Sequence, residues 1–284
     1  MKKLLLLSLT ILLFSCGDND SIDETPIINL IGEAIVTVEI YSTYTDAGAT
    51  AQDTEDGNLT SSITTTGLVN TSMEGNYVIT YTVSDSSGNT ATTSRQVIVE
   101  DVNPVYLAEN GVTIKAKDWA LIGDSGVVNG IGYTIVDNET LRNMISNGDD
   151  VTRVCTSRIV DMEYMFNNAL DFNQDIGSWD VSIVTNMNGM FRDASSFNQP
   201  LNDWNTSNVI DMGYMFLAAR KFNQPLNKWD VEKVTDMYVM FQLTDDFNQN
   251  LSSWNVDGVI NCEDFNSQSS LTEANLPNFT NCNI

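Results

Sequence analysis

Large apolar side chains recur at a fixed step of 25 residues along the C-terminal part of the chain. A Met-x-x-Met-Phe motif and a Phe-Asn-Gln motif precede each tryptophan with the same spacing. A strict period in this range predicts a solenoid, in which each repeat forms one coil and stacks on its neighbour. The recurring positions are Trp179, Trp204, Trp229 and Trp254; Phe172, Phe197, Phe222 and Phe247; Met162, Met187, Met212 and Met237; Met165, Met190, Met215 and Met240; and Phe166, Phe191, Phe216 and Phe241.

Polar side chains form columns of their own within the same period. Stacked amides can hydrogen-bond along the axis of a solenoid or satisfy backbone groups at the corners of each coil. The alternative is a stripe that binds a ligand, but we favour the structural interpretation because core Phe and Leu residues flank the amides in every repeat. These columns are Asn173, Asn198, Asn223 and Asn248; Gln174, Gln199, Gln224 and Gln249; and Asp161, Asn186, Asp211, Asp236 and Asn261.

The segment from Trp179 to Met187 reads Trp-Asp-Val-Ser-Ile-Val-Thr-Asn-Met. Together with the two motifs above, it resembles the repeat of BspA-like leucine-rich repeat surface proteins of bacteria. The resemblance extends over roughly residues 105–284. It implies a strand at Phe-Asn-Gln-x-Leu-x-x-Trp and a short helical or 3₁₀ turn at Met-x-x-Met-Phe in each coil. It also implies surface display and adhesion, without catalytic residues.

The repeats proper occupy residues 158–261, and the segments on either side follow a different pattern. Residues 105–157, which we call the leader, are expected to cap the N-terminal end of the solenoid, because an array of coils needs ends that cover its open core. Strands are predicted in the leader at 111–116 and 132–136. Residues 262–284, where the repeat pattern fades, are expected to form the C-terminal cap.

An amphipathic helix is predicted in the leader at residues 137–147. Leu141 and Ile145 are spaced to lie on one helical face. Asp137 or Asn138 is placed to cap the N-terminus of this helix.

Residues 26–102 are rich in Thr, Val, Ile and Gly and contain no repeat. Residues 77–83 and 90–99 predict a β-hairpin with a turn-rich tip. About seven short strands in this length indicate an Ig-like sandwich, and residues 46–53 and 75–81 resemble Ig-like modules of bacterial surface proteins. The predicted chain is mainly β: an Ig-like β-sandwich followed by a leucine-rich-repeat-type solenoid with 25-residue coils and short helical turns.

Residues 1–15 are expected to be a secretory signal peptide, because two lysines precede an apolar run shorter than the roughly 20 residues of a membrane span. The run ends Leu-Phe-Ser-Cys, which resembles the lipobox of bacterial lipoproteins and implies lipidation of Cys16. The alternative is an ordinary secretory signal. Residues 16–25 form an acidic tether similar to those that route some lipoproteins outward. The expected location is the bacterial outer membrane, lipid-anchored and facing the exterior.

The formal net charge is −25, and the chain contains no histidine. Without histidine, Ser–His–Asp and Cys–His catalytic sites are excluded, and the commonest general base and metal ligand are missing. A strongly acidic protein is poorly suited to bind nucleic acid. We therefore expect no enzymatic activity, no cofactor and no nucleic-acid partner.

The sequence Asp-Thr-Glu-Asp-Gly-Asn contains Asp53, Glu55 and Asp56 at a spacing that suits a hard cation such as Ca²⁺. A polar turn that ends in glycine explains the same residues, and we favour that interpretation. No metal site is therefore predicted.

If Cys16 carries lipid, three cysteines remain. Cys262 and Cys282 lie nearly one coil apart, and stacked coils at about 4.8 Å place such residues within the Cα separation that a disulfide needs. We therefore predict a Cys262–Cys282 disulfide, which an oxidising compartment permits. Cys155 is expected to be a buried free thiol.

The predicted function is non-catalytic recognition of an extracellular protein or glycan, with the membrane contacted only through the lipid anchor. Ligand contacts are expected where the coils differ, just before each tryptophan. The alternatives are a structural surface spacer without a specific ligand and an accessory glycan-capture lipoprotein. The predicted contact strip comprises Gly177, Ser178, Asn202, Asp203, Asn227, Lys228, Ser252 and Ser253.

Overall fold

The computed structural model describes residues 23–284, which divide into two compact units between Val102 and Asn103. The signal peptide, Cys16 and the tether up to residue 22 lie outside the described residues. The described chain is mainly β, and none of its helices is long and apolar enough to cross a bilayer.

The first unit consists of two β-sheets. One has three strands in the order β1-β3-β4, and the other has four in the order β2-β7-β6-β5. The predicted hairpin is confirmed, because all ten residues of β6 pair antiparallel with β7. The strands are β1 Ile27–Leu30, β2 Ile35–Glu39, β3 Ala49–Asp53, β4 Gly57–Asn58, β5 Thr64–Thr66, β6 Gly75–Ser84 and β7 Thr90–Glu100.

Alternation along β6 and β7 builds the core of this unit. Ile79, Tyr81 and Val83 on β6, and Val97 and Val99 on β7, are all buried. The period of two in these strands directs every second side chain inward, as a half-buried sheet requires.

The second unit begins with the leader, which contains short strands and one helix. Helix α1 starts where predicted: the Asp137 side chain accepts a hydrogen bond from Thr140 N at 2.8 Å. Gly148 ends it in the left-handed conformation, φ 74°. The elements are β8 Val105–Leu107, β9 Ile114–Ala116, β10 Ser125–Val128, β11 Ile131–Ile135, α1 Asn138–Asn147 and β12 Val154–Cys155.

The repeats stack in register with a 25-residue step. Parallel bridges join Asp161 to Asn186 and continue through Asp211 and Asp236 to Asn261. Aromatic residues in the same column lie over one another: ring centroids of successive members of the Phe166 column are 5.3–5.4 Å apart. This stacking buries the apolar columns in one continuous core.

The backbone pairing between coils is not where the family resemblance placed it. No strand is assigned at Phe-Asn-Gln-x-Leu-x-x-Trp among the described residues, so that expectation is wrong. Hydrogen bonds between coils run instead through the Met-x-x-Met-Phe segment, as in Tyr164 N to Asn188 O at 2.9 Å and Phe166 N to Met190 O at 2.8 Å.

The Met-x-x-Met-Phe segment is also not helical. Met165 N donates to Met162 O at 3.2 Å around Tyr164, whose φ is 51°. A positive φ at the third residue defines a type II turn. A second left-handed residue follows four positions later in each coil, as at Asn168 with φ 58°.

The last coil ends in a short cap. A 3₁₀ turn spans Glu273–Asn275. Cys262 and Cys282 are joined by a disulfide with Cα atoms 5.8 Å apart. Cys155 is a buried free thiol in β12, and burial raises its pKa.

Candidate functional site

The predicted contact strip lies in the turns that precede the tryptophans, and its exposure increases along the repeats. Gly177 and Ser178 in the first coil are half-buried, whereas Ser252 and Ser253 in the last coil are exposed. The strip is therefore covered at its N-terminal end and open at its C-terminal end.

Side chains in the middle of the strip bond to one another. Asn202 Nδ2 donates to Asn227 Oδ1 at 3.2 Å, and Asn202 Oδ1 accepts from Lys228 N at 3.0 Å. Lys228 Nζ pairs with Asp203 Oδ1 at 2.8 Å. Ser252, by contrast, bonds within its own coil to Asn250. The middle of the strip is thus a polar ladder whose groups already have partners.

The leader packs against the covered end of the strip. Ile114 N donates to Ser178 O at 2.8 Å, which fixes β9 beside Trp179, the first tryptophan of the repeats. Asn110 Nδ2 reaches Asp203 O at 3.5 Å. These bonds hold the leader close to the first two coils and leave open space on either side of it.

A cleft of about 500 Å³ lies between the leader and the first two coils. It contains three of the predicted contact residues, namely Gly177, Ser178 and Asp203. Gly177 leaves no room for a side chain without a backbone shift, since an added Cβ would lie 2.9 Å from the carbonyl oxygen of Pro200, another lining residue. The lining residues are Val112, Ile131, Tyr133, Thr152, Arg153, Asp175, Gly177, Ser178, Pro200 and Asp203.

The chemistry of this cleft comes from both segments. The leader contributes the half-buried ring of Tyr133 and the exposed guanidinium of Arg153. The coils contribute the carboxylates of Asp175 and Asp203. An aromatic surface with convergent polar groups is typical of a small-ligand site. Sequence reasoning missed Tyr133 and Arg153, because they lie outside the repeat and have no equivalents in other coils.

A second cavity of about 480 Å³ lies on the other side of the leader, beside Tyr106 and Trp179. Lys115 extends into it and pairs with Asp180, with a Nζ–Oδ1 distance of 3.6 Å, and also donates to Ser182 Oγ at 3.2 Å. The charges of Lys115 and Asp180 therefore have partners within the protein.

The amide columns serve the structure, as favoured from the sequence. Asn198 N donates to Asn173 Oδ1 at 2.9 Å, and Gln199 Nε2 donates to Asn173 O at 3.0 Å. The same pattern recurs between Gln224 and Asn198. At the Phe-Asn-Gln motif, these side chains make the hydrogen bonds between coils that the backbone of a β-strand would otherwise make.

Tyrosines form a separate surface on the turns of the Met-x-x-Met-Phe segment. Tyr214 and Tyr238 meet edge to face with centroids 5.1 Å apart, and Arg192 lies 5.9 Å over the Tyr214 ring. Tyr164 covers Gly189, where an added Cβ would lie 2.2 Å from the ring. We call Tyr164, Tyr214 and Tyr238 the tyrosine row. Sequence reasoning missed it because the column is incomplete: Tyr164 and Tyr214 share one repeat position, Gly189 occupies it in the coil between them, and Tyr238 lies one position earlier in its coil.

Two family models match the chain. The model described as a bacterial surface protein, Ig-like domain, matches residues 28–99. This match covers most of the described part of the first unit. The model described as a Mycoplasma protein of unknown function, DUF285, matches residues 138–254, which cover the end of the leader and most of the repeats. The chain has no match among curated protein sequences.

Solved structures show local similarity only. The lipoprotein BT2262 from Bacteroides thetaiotaomicron is 22% identical over 27% of this chain and 38% of that chain, with a TM-score of 0.25. Two structures of Clostridium perfringens ZmpB also match. The M60 catalytic domain with CBM51-1 and CBM51-2 is 21% identical over 32% of this chain and 12% of that one, TM-score 0.24. The structure of the CBM51-2 and INT domains is 23% identical over 32% of this chain and 26% of that chain, with a TM-score of 0.24.

Proposed function

We propose that this chain is a non-catalytic recognition protein of the bacterial surface, in which a leucine-rich-repeat-type solenoid of the BspA-like kind presents the ligand site. The surface Ig-like domain at residues 28–99 supports a location outside the cell. The 25-residue register of the bridges from Asp161 to Asn261 supports the solenoid. The absence of histidine from the chain supports a role without catalysis.

The observation that carries this proposal is the cleft between the leader and the first two coils. Its Tyr133 ring offers a flat apolar surface on which the face of a sugar ring can pack. The carboxylates of Asp175 and Asp203 offer acceptors for hydroxyl groups, and Arg153 offers donors. We therefore favour a glycan as the ligand. An extended peptide is the other ligand class that the experiment below tests.

Attachment to the outer membrane is part of the proposal and rests on the lipobox-like sequence that ends at Cys16. Wild-type protein should incorporate radiolabelled palmitate and fractionate with membranes. A Cys16→Ala variant should do neither. A variant that still fractionates with membranes would exclude this mode of anchoring.

The Cys16→Ala protein also supplies soluble full-length chain for a ligand screen on glycan arrays and extracellular matrix proteins. For the ligand found, Tyr133→Ala and Asp203→Asn should each weaken binding at least tenfold, about 1.4 kcal/mol. Tyr41→Ala is the matched control, because Tyr41 is an exposed tyrosine of the Ig-like unit.

The outcomes separate the possible sites. Loss of binding in Tyr214→Ala with full binding in Tyr133→Ala would place the ligand on the tyrosine row. Loss in an Asn202, Asn227 and Lys228 triple variant alone would place it on the predicted strip. Unchanged binding in all three variants would exclude the cleft, the tyrosine row and the predicted strip.

A structural spacer without a ligand is the second candidate function. The observation that favours it is the set of hydrogen bonds among Asn202, Asn227 and Lys228, which leaves the middle of the strip with few unpartnered groups. A screen in which neither glycans nor proteins bind would support the spacer over the recognition protein.

A further inference from the structure

Three carboxylates converge at one end of the Ig-like unit. Asp53 is the last residue of β3, Glu55 lies in the turn that follows it, and Asp23 precedes β1. One carboxylate oxygen of each lies within 4.8 Å of those of the other two. Residues 30 positions apart in sequence therefore present their charges to the same point.

The two oxygens of the Asp53 carboxylate have different surroundings. Its Oδ1 accepts from Glu55 N at 2.9 Å and from Asp56 N at 2.8 Å, which shapes the turn. Its Oδ2 is buried and has no hydrogen-bond partner. A buried anionic oxygen without a partner is unfavourable, so a cation bound at this atom would stabilise it.

Asp23 presents a second oxygen of the same kind. Its Oδ1 is also buried and without a hydrogen-bond partner. Because the oxygens of Asp23, Asp53 and Glu55 face one another, their charges repel. A cation between the three groups would satisfy the buried oxygens and remove the repulsion.

Hydrogen bonds outside the cluster hold these groups in place. Thr54 Oγ1 donates to Glu24 Oε2 at 3.3 Å, and Asn89 Nδ2 donates to Asp23 O at 3.5 Å. Asp56, which the sequence suggested as a possible ligand, is used differently: it accepts from Ser86 N at 2.6 Å. The turn after β3 is thus fixed to the segment before β1 and to the β6–β7 hairpin.

We propose that Asp23, Asp53 and Glu55 form a calcium site. Two oxygens bound to one Ca²⁺ at 2.3–2.6 Å lie at most about 5 Å apart, which the observed separations satisfy. Ca²⁺ is favoured over a transition metal because all three ligands are carboxylates. Water completes the coordination shell on the open side, next to the exposed Glu55.

The position of Asp23 gives this site a role. Asp23 precedes β1, so the ion would fasten the segment that leads into the Ig-like unit to the turn after β3. Binding would stabilise the folded unit, because the three carboxylates converge only when the chain is folded.

The test is calcium titration of the full-length protein by isothermal calorimetry, after treatment with EDTA and its removal. One Ca²⁺ should bind per chain, with a dissociation constant of about 10⁻³ M or tighter, as in other extracellular modules. Mg²⁺ should bind at least tenfold more weakly. Asp53→Asn and Glu55→Gln should each weaken Ca²⁺ binding at least tenfold. Glu74→Gln, the same charge change at an exposed acid of this unit, should leave binding unchanged.

A second measurement covers the case in which a variant does not fold. In wild-type protein, 10 mM Ca²⁺ should slow hydrogen exchange in peptides that contain residues 23–30 and 49–58, and EDTA should reverse the effect. No calcium-dependent heat and no change in exchange would overturn the proposal. Binding that persists in both Asp53→Asn and Glu55→Gln, or that Glu74→Gln weakens equally, would identify diffuse attraction to the acidic surface and would also overturn it.

Discussion

Both units have a stable apolar core, but the contacts that build the two cores differ in their separation along the sequence. In the Ig-like unit, β6 and β7 form a hairpin, but the sheet also needs strands that are distant in sequence, as where Ile35 on β2 lies beside Gln96 on β7. In the repeat unit, each core ring contacts its equivalents 25 residues away on both sides, as Phe216 does with Phe191 and Phe241. The first core depends on long-range pairing, and the second is a sum of near-neighbour contacts.

The units also differ in how they use left-handed backbone. Within residues 23–102, every residue with positive φ is a glycine except Tyr41. In the coils from 158 to 268, Gly189 is the single glycine among ten such residues, and one of the others is the β-branched Val239. Bonds from coil to coil fix these turns, so the repeat array tolerates local strain that an isolated turn would not.

The largest effect is expected from Phe216→Ala in the middle of the array. The Phe216 ring is fully buried and stacks 4.2 Å from the Phe222 centroid. Removing a buried phenylalanine costs about 3–5 kcal/mol of stability. Tryptophan fluorescence in a urea titration measures this, because all five tryptophans, from Trp119 to Trp254, lie in the second unit.

The control for this prediction is Phe172→Ala in the first coil. Phe172 is only half-buried, so the loss should be about 2 kcal/mol. Equal losses at both positions would contradict the near-neighbour description of this core.

Loss of the disulfide should have the next largest effect. Cys282→Ser opens the bond to Cys262, whose sequence separation is 20 residues. In the chain-entropy model a loop of this length contributes about 3 kcal/mol. The same fluorescence titration should show that loss, and dithiothreitol should lower the stability of the wild type but not of Cys282→Ser.

Thiol labelling checks the pairing itself. In the folded, unreduced protein Cys155 should resist alkylation, because it is buried and its raised pKa disfavours the thiolate. Unreduced peptide maps should contain a fragment that joins Cys262 to Cys282. Free thiols at both positions would contradict the structure.

In the Ig-like unit, the sensitive element is a buried charge. Arg95 is 1% exposed and pairs with Asp46, which is 24% exposed. Arg95→Met should destabilise the unit by about 2 kcal/mol, below the 3–5 kcal/mol of a fully buried pair. Hydrogen exchange in peptides from β6 and β7 is the measurement. Tryptophan fluorescence should not change, because this unit contains no tryptophan.

The lowered pKa of Asp46 also makes the stability of the Ig-like unit depend on pH. Burial alone would raise the pKa of Asp46, but hydrogen bonds from Tyr81, Tyr44 and Arg95 outweigh it and lower the pKa below 3.8. A lowered folded pKa contributes stability above the unfolded value, about 3.9, and that stability is lost as pH falls through the folded pKa. The protection of amides in β6 and β7, measured as exchange rates relative to the intrinsic rate at each pH, should therefore fall below about pH 4. Asp46→Asn should show a smaller fall.

The comparison explains which parts of the structure were predictable. The helix at Asp137 and the β6–β7 hairpin follow from local patterns, and both were found. The position of the pairing between coils was missed, because the 25-residue period predicts stacking but does not fix which backbone segment makes the hydrogen bonds between coils. The cleft and the three converging carboxylates join residues that are distant in sequence, such as Tyr133 with Asp203 and Asp23 with Asp53.

The smallest effect tests whether the coils store strain in their turns. Gln268 is exposed and has φ 56°, a conformation that is unfavourable for a residue with a Cβ by about 1–2 kcal/mol. Gln268→Gly relieves this, and the greater freedom of glycine in the unfolded chain offsets about 0.5–1 kcal/mol of the gain. The net result should be a stabilisation of about 0.5–1 kcal/mol in the fluorescence titration.

Gln268→Ala removes the same side chain but keeps the Cβ, so it should give no gain. Glu263→Gly, at an exposed position without positive φ, should destabilise the protein by a similar amount. Equal effects of Gly and Ala at position 268 would mean that the stacked coils hold their left-handed turns without strain, and the contrast with the glycine turns of the Ig-like unit would then reflect sequence alone.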